Sequence, residues 1–275
     1  MGRFWSLLFL MVPVLGVLCF VCAMFDIWPM SRGAFGTDQW LPDNINDHGH
    51  VIDSLFMFIL YLTGVIFIVT AGALFVFMWK YDAARNSEPV KFTHGSHNLE
   101  IIWSILPAAT LLFIAIYQMN AWADAKLLRP KTSDGADKPA LLEVTGRQFE
   151  WRLRYAGQDG VIGTRDDVHG VNDLHIPVNE DVVIAIKSQD VLHSFFLPNL
   201  RIKQDVVPGM KQFVWFRANR TGVYDVVCAE LCGWGHYKMR GRLTIESRER
   251  FDQWLAQQYQ EQELTEFIPG SGEEE

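Results

Sequence analysis

Long apolar runs fill the first half of the chain, and short alternating ones fill the second. From Val51 to Trp79 the only charge is Asp53, and from Ile101 to Trp122 there is none. Each run exceeds the roughly 20 residues that cross a bilayer. Neither shows the polar face that a helix on a soluble core turns to water. Both are expected as transmembrane helices, together a hairpin over residues 51–122. An earlier run, Phe4 to Phe25, follows Arg3 and has two readings, a signal peptide or a first span. It is long for a signal core, and no small-x-small cleavage pattern precedes Asp26. Leu18 and Val21 are bulky where a lipoprotein signal places a small residue before its cysteine. A retained first span is favoured, with Cys19 and Cys22 as packed or lipid-facing thiols.

Beyond Trp122 the period changes to that of strands: Leu141 to Thr145, Phe149 to Tyr155, Val182 to Lys187, Gln212 to Arg217, Gly222 to Val227 and Arg242 to Glu246. Turn signals separate them, among them Pro177-Val-Asn179-Glu, Pro208-Gly209 and Asn219-Arg-Thr-Gly222. The pattern predicts an all-β sandwich. Ser247 to Tyr259 reads as a helix capped by its serine. The expected layout is a hydrophobic segment at 1–28, an external linker at 29–50, the hairpin at 51–122, the β domain at 123–258 and an acidic disordered tail at 259–275.

Composition hides this division, since 49% hydrophobic and 20% charged residues look like an ordinary globular chain. Charge placement adds orientation. Lys80, Arg85 and Lys91 lie between the second and third apolar runs, whereas Trp28 to His50 offers Arg32 against Asp38, Asp43 and Asp47. The basic loop belongs on the cytoplasmic side, so everything after Trp122 emerges outside. The net charge of −8 suits a basic soluble partner, with steering that weakens as salt rises; no nucleic-acid partner is expected.

The chemistry is concentrated in Cys228-Ala-Glu230-Leu-Cys232-Gly-Trp-Gly-His236-Tyr-Lys-Met239, with His193 upstream. Thiolate and thioether are soft ligands that favour copper, whereas a zinc site takes four Cys or His ligands and has no use for a methionine. A disulfide between Cys228 and Cys232 would close a short loop that constrains little of the unfolded chain, and would leave His236 and Met239 unexplained. A single blue copper needs one cysteine, so the second thiol is surplus. Two metal ions sharing both sulfurs fit best.

These residues resemble subunit II of the haem-copper cytochrome c oxidases, whose binuclear CuA centre follows the pattern C-x-E-x-C-x-x-x-H-x-x-M with one upstream His. Ser188-Gln-Asp190-Val-Leu-His193-Ser-Phe and Lys203-Gln-Asp205-Val-Val-Pro208-Gly209 match the family's first-ligand strand and following turn. The resemblance extends over roughly residues 50 to 258. It implies a cupredoxin Greek-key sandwich with Cys228 and Cys232 bridging two coppers and His193 and His236 each capping one. Met239 and the Glu230 carbonyl would be weak ligands. It also implies that the Glu230 side chain binds a magnesium ion shared with the catalytic subunit.

Leu99-Glu100-Ile-Ile-Trp103-Ser-Ile-Leu-Pro107 resembles the family's V-E-x-I-W-T-I-L-P segment, which implies that Glu100 lies at the mouth of a proton pathway; a carboxylate favouring a helix N-terminus is the plain alternative. Pro107 is expected to kink its helix. Gly146-Arg-Gln148-Phe149-Glu-Trp151 departs from the family's G-x-Q-W-x-W, with Phe149 where the family has its proposed electron-accepting Trp. Trp151 or a different donor is expected to compensate.

The implied function is the electron-accepting subunit of a proton-pumping terminal oxidase in the inner or plasma membrane of a prokaryote. Its partners would be the catalytic haem-copper subunit I, other oxidase subunits, a c-type cytochrome and the lipid bilayer. Haem would reside in the partner only, since no C-x-x-C-H occurs here. A CuA subunit of a nitric oxide reductase and a membrane-anchored copper chaperone are the alternatives. His48, His50, His94 and His97 flank the spans and read as interfacial residues. Asp159 to Asp167 lacks the oxygen spacing of an EF-hand and reads as a turn insertion.

Overall fold

The computed structural model describes residues 2–25, 27, 41–82, 89, 92 and 94–266. The chain divides into two compact units, residues 1–43 with 53–120 and residues 44–52 with 121–275.

The first unit is helical. Helix α1 (Gly2–Met24) contains Pro13, α2 (Gly49–Lys80) has 32 residues, and α3 (His97–Tyr117) has 21 and contains Pro107. All three are long and apolar enough to cross a membrane. Almost none of their side chains is buried, and many are largely exposed, as with Trp103 at 62% and Leu111 at 66%. No water-soluble fold leaves such helices uncovered, whereas lipid solvates them. The hydroxyls of Thr63, Thr70 and Thr110 donate back to the carbonyls of Ile59, Ile66 and Leu106, which keeps these polar groups satisfied inside their own helices. Phe58 of α2 meets Phe113 and Tyr117 of α3 at ring separations of 6.3 and 5.7 Å. The apolar run from Ile101 to Trp122 is not one helix: α3 stops at Tyr117 and a short α4 (Met119–Lys126) follows. Arg85, Lys91 and most of the expected external linker lie outside the described residues.

The second unit is a sandwich of two five-stranded sheets, ordered β3-β2-β1-β5-β8 and β4-β10-β9-β6-β7. The strands are β1 (Leu142–Arg147), β2 (Glu150–Tyr155), β3 (Val168–Val171), β4 (Asp173–Pro177), β5 (Asp181–Ser188), β6 (His193–Leu197), β7 (Ile202–Val206), β8 (Gln212–Arg217), β9 (Gly222–Cys228) and β10 (Arg240–Glu246). Pairing is antiparallel except for β1 with β5 and β4 with β10. Period-2 alternation puts Leu243 and Ile245 of β10, and Trp151, Leu153 and Tyr155 of β2, into one core between the sheets. This is the β-sandwich that the alternation predicts. Gly209 takes φ +78° at the predicted Pro208-Gly209 turn, a backbone conformation that suits glycine.

Two boundaries differ from the sequence-based layout. Residues 44–50, expected in the external linker, pack with the sandwich. Ile45 is fully buried in its core, Asn46 Nδ2 donates to the Leu200 carbonyl at 2.9 Å, and Asn219 N donates to the Ile45 carbonyl at 2.9 Å. One buried isoleucine and a satisfied backbone are enough to dock so short a segment. The C-terminal helix α5 runs from Arg248 to Glu266, past Tyr259, because Gln and Glu are good helix formers even without an apolar face. Ser247 Oγ accepts from Arg250 N at its start. Phe251 is buried, and Trp254 stacks on His175 at 4.0 Å. The remainder of the acidic tail, residues 267–275, lies outside the described residues.

Candidate metal centre

Register builds the site. In the β6–β9 pair Phe195 faces Cys228, so His193, two residues earlier on β6, comes beside the end of β9 where the thiols begin. The chain from Ala229 to Met239 returns to β10 as a tight loop, closed by Cys228 N donating to the Met239 carbonyl at 3.1 Å. Ala229 N donates to the Ser194 carbonyl at 3.0 Å and pins the loop to β6. A 3-10 turn, His236–Lys238, aims the second imidazole back at the sulfurs.

The donors converge. Cys228 Sγ and Cys232 Sγ are 3.9 Å apart, far beyond the roughly 2.05 Å of a disulfide. His193 Nδ1 lies 4.0 Å from Cys228 Sγ, and His236 Nδ1 lies 3.7 Å from Cys232 Sγ. Met239 Sδ is 3.8 Å from Cys232 Sγ, and the Glu230 carbonyl accepts from Cys228 Sγ at 3.2 Å. His193, Cys228, Cys232 and Met239 are buried, and Glu230 and His236 half-buried. Metal–ligand bonds of about 2.0–2.3 Å span atoms at these separations with near-tetrahedral angles. Six donors, the two central sulfurs among them, exceed what one four-coordinate ion uses, and the softness of the sulfurs suits copper. The residues therefore fit a shared-thiolate copper pair.

Asp190 carries the support. Its Oδ1 accepts from His193 Nε2 at 2.8 Å and its Oδ2 from Gln148 N at 2.8 Å. Gln148 Nε2 in turn donates to the Cys232 carbonyl, so the β1–β2 hairpin grips both the imidazole and the loop. At Gly146 a Cβ would come within 2.9 Å of the His193 ring, so that position has to be bare. Trp151 lies at 6.0 Å from His193 and 5.3 Å from Phe195, ring centre to ring centre, inside the core. Phe149 meets Trp234 edge to face at 5.3 Å. Asp190, Gln148 and Gly146 support the site without belonging to the copper-ligand pattern; they lie in the segments Ser188–Phe195 and Gly146–Trp151, and an acid three residues before a ligand histidine is the signal for the first.

Burial opposes charge on His193, but its bonds to Cys228 and Asp190 prevail and raise its pKa. Burial likewise opposes ionisation of Cys228, yet hydrogen bonds from His193 and the Ser194 backbone bring the thiol down to about 6. Burial and the neighbouring Cys228 charge push Cys232 up to about 11. Without metal, Cys228 therefore ionises first and the two thiols share that one negative charge.

Other candidates fall elsewhere. Glu100 sits in the first turn of α3, in the helical unit, with its carboxylate 3.9 Å from His97 Nδ1. His48 packs on Trp215 at 5.0 Å, and His50 Nδ1 bonds the Asp47 carbonyl at 2.8 Å. In the acidic insertion, Asp166 accepts from Asp159 N and Asp167 from Gly163 N, and Arg154 pairs with Asp167, so these carboxylates serve their own turn.

Both parts of the chain have known relatives. Residues 36–121 match the transmembrane-domain family of cytochrome c oxidase subunit II, and residues 165–246 match the family of its periplasmic domain. Cytochrome c oxidase subunit 2 of Cereibacter sphaeroides is 30% identical over 230 residues, covering 73% of this chain and 73% of the relative. The alternative cytochrome c oxidase subunit 2 of Bradyrhizobium diazoefficiens is 40% identical over 139 residues, 42% of this chain and only 50% of that protein's length. The crystal structure of the periplasmic domain of subunit II of cytochrome oxidase from Bradyrhizobium japonicum aligns with a TM-score of 0.42 at 23% identity, over 49% of this chain and 99% of that one. Membrane-spanning helices and a matched periplasmic domain make this a membrane chain with its sandwich on the outer side. With both parts of the family matched, and a relative aligned over nearly three quarters of its length, the chain belongs to the cytochrome c oxidase subunit II family.

Proposed function

We propose that this chain is the electron-accepting subunit of a haem-copper terminal oxidase, taking electrons from a c-type cytochrome and passing them to haem in the catalytic subunit, where oxygen is reduced to water. The observation that carries this reading is the pair of sulfurs 3.9 Å apart with an imidazole nitrogen against each. Cys228 and Cys232 would hold two coppers between them, His193 and His236 would each take one, and Met239 Sδ and the Glu230 carbonyl would complete the set. A copper pair sharing two thiolates supplies one-electron exchange with little ligand movement. The protein's part is to keep the donors still and dry. The sandwich buries the sulfurs, Asp190 fixes the His193 ring through Nε2, and Gln148 restrains the loop at the Cys232 carbonyl.

The Glu230 side chain remains for a hard cation, magnesium, at the border with the catalytic subunit. Glu100 at the start of α3 serves the mouth of a proton pathway in a proton-pumping complex. The site is the inner or plasma membrane of a prokaryote, with the lipid bilayer around α1, α2 and α3. Buried, preformed donors argue against a copper-delivery role, which needs exchangeable ones. Metal analysis with electron paramagnetic resonance on the purified oxidase is the test. Two coppers sharing one unpaired electron are expected in this subunit, and a single copper or none would refute the reading. Oxygen consumption driven by cytochrome c separates it from nitric oxide reduction.

A further inference from the structure

The sulfurs and His193 of the metal centre are buried, so an electron from another protein reaches them past a cover of other residues. The β9–β10 loop provides that cover by alternation. Cys228, Cys232 and Met239 turn inward at 9, 4 and 2% exposure, while Leu231, Trp234 and Tyr237 turn outward at 75, 81 and 75%. Neighbouring loops extend the surface. Val191 and Leu192 precede His193, and Met210 lies in the β7–β8 turn, which a Ser188–Pro208 bridge ties to the end of β5. Between β1 and β10, residues 142–246, these six are the majority of the exposed large apolar side chains, the others being Val161, Val171 and Val223. A concentration of exposed apolar side chains at the metal end marks a contact surface.

Within the patch Trp234 is the most exposed and lies two residues along the chain from Cys232. Its ring meets Phe149, and Phe149 is itself clamped over the loop glycines. A Cβ on Gly235 would come within 2.5 Å of that ring, and one on Gly233 within 3.2 Å. Phe149 and Trp234 thus form a continuous aromatic surface from the hairpin that grips the loop out to solvent. A ring seated in this way loses little freedom when a partner covers it, and tryptophan dominates the binding energy of many interfaces.

We propose that Trp234 is the contact through which this chain receives its electron, docking a small redox protein that presents an apolar rim around an exposed haem edge. The inference rests on the copper-centre reading above. In the step, the donor's ferrous iron becomes ferric and the thiolate-held centre gains that one electron; no bond forms or breaks and no proton moves. Phe149, half-buried beneath the indole, is a positioning residue.

The test uses the assembled oxidase carrying Trp234→Ala or Trp234→Phe. With copper content and the paramagnetic signal retained, Trp234→Ala is expected to lose about tenfold in the rate of reduction by ferrous cytochrome c and about fivefold in affinity for the ferric form by surface plasmon resonance. Trp234→Phe should recover most of both, and reduction by hexaammineruthenium(II), which needs no docking surface, should be unchanged. Native rate and affinity in Trp234→Ala would overturn the proposal. So would loss of the catalytic subunit from the purified variant, which would assign the ring to that subunit instead. A native complex without the two-copper signal would fail the copper-centre reading itself, and the proposal with it.

Discussion

Replacing Asp190 by asparagine tests whether the hairpin–aspartate network holds the metal site. The carboxylate accepts from His193 Nε2 and from Gln148 N, each at 2.8 Å, and Oδ1 takes the Val191 N–H as well, at 2.6 Å. Asparagine keeps the shape but offers one oxygen where two accept, and turns a donor NH2 toward a donor. At least one of the three bonds is lost and the rest lose their charge, each worth about 1.5–3 kcal/mol when a charged group takes part. His193 then no longer has a fixed ring orientation, and its Nδ1 becomes a weaker base. Loss of such a partner typically costs about 10–100-fold in metal affinity, or about 1.4–2.8 kcal/mol. The assay is copper retention against a graded chelator series, with thermal unfolding of the metal-free chain as the control for folding. Asp190→Asn is expected to release copper at about 10–100-fold lower chelator concentration with its fold intact. Native copper retention in this variant would show that His193 is oriented without Asp190 and would refute the reasoning.

Three further outcomes are expected. Ile45→Ala removes a fully buried side chain that anchors residues 44–52 to the sandwich, so thermal unfolding should show a loss of about 2–5 kcal/mol; an unchanged midpoint would mean the segment does not dock. Gly235→Ala puts a methyl 2.5 Å from the clamped Phe149 ring, and should cost about 1–3 kcal/mol and broaden the copper paramagnetic spectrum, whereas a native spectrum would show that the ring yields freely. Glu143 is buried, which pushes its pKa up, but Lys187 at 2.7 Å and Lys211 at 2.9 Å prevail and hold it below the usual carboxylate range. Its contribution is therefore complete above the unfolded value of about 4.3 and lost as pH falls through the depressed folded value. Glu143→Gln should be less stable than native at neutral pH, with the gap closing in acid; a gap constant with pH would contradict this.

The helical unit and the ligand types were legible in local sequence because their causes are local. An uncharged run longer than the bilayer is thick has one stable environment, and Cys228, Cys232, His236 and Met239 share a single loop. Strands were legible where both faces differ, as in β2 and β10. Val168–Val171, Asp173–Pro177 and Ile202–Val206 were not, since they are short and mix polar residues through edge positions of the sheets. The docking of Ile45 has no signature either, because its partners lie more than 150 residues away.

By itself, then, the sequence determined the membrane spans, the alternating sandwich and the soft donor set, through hydrophobic period, residue softness and spacing. The tertiary structure alone decided that His193 meets Cys228, that Asp190 and Gln148 tie the β1–β2 hairpin to the metal loop, and that Trp234 stands outside Phe149. These depend on strand register across sheets, a long-range pairing that the core's total packing selects and that no local stretch of the chain encodes.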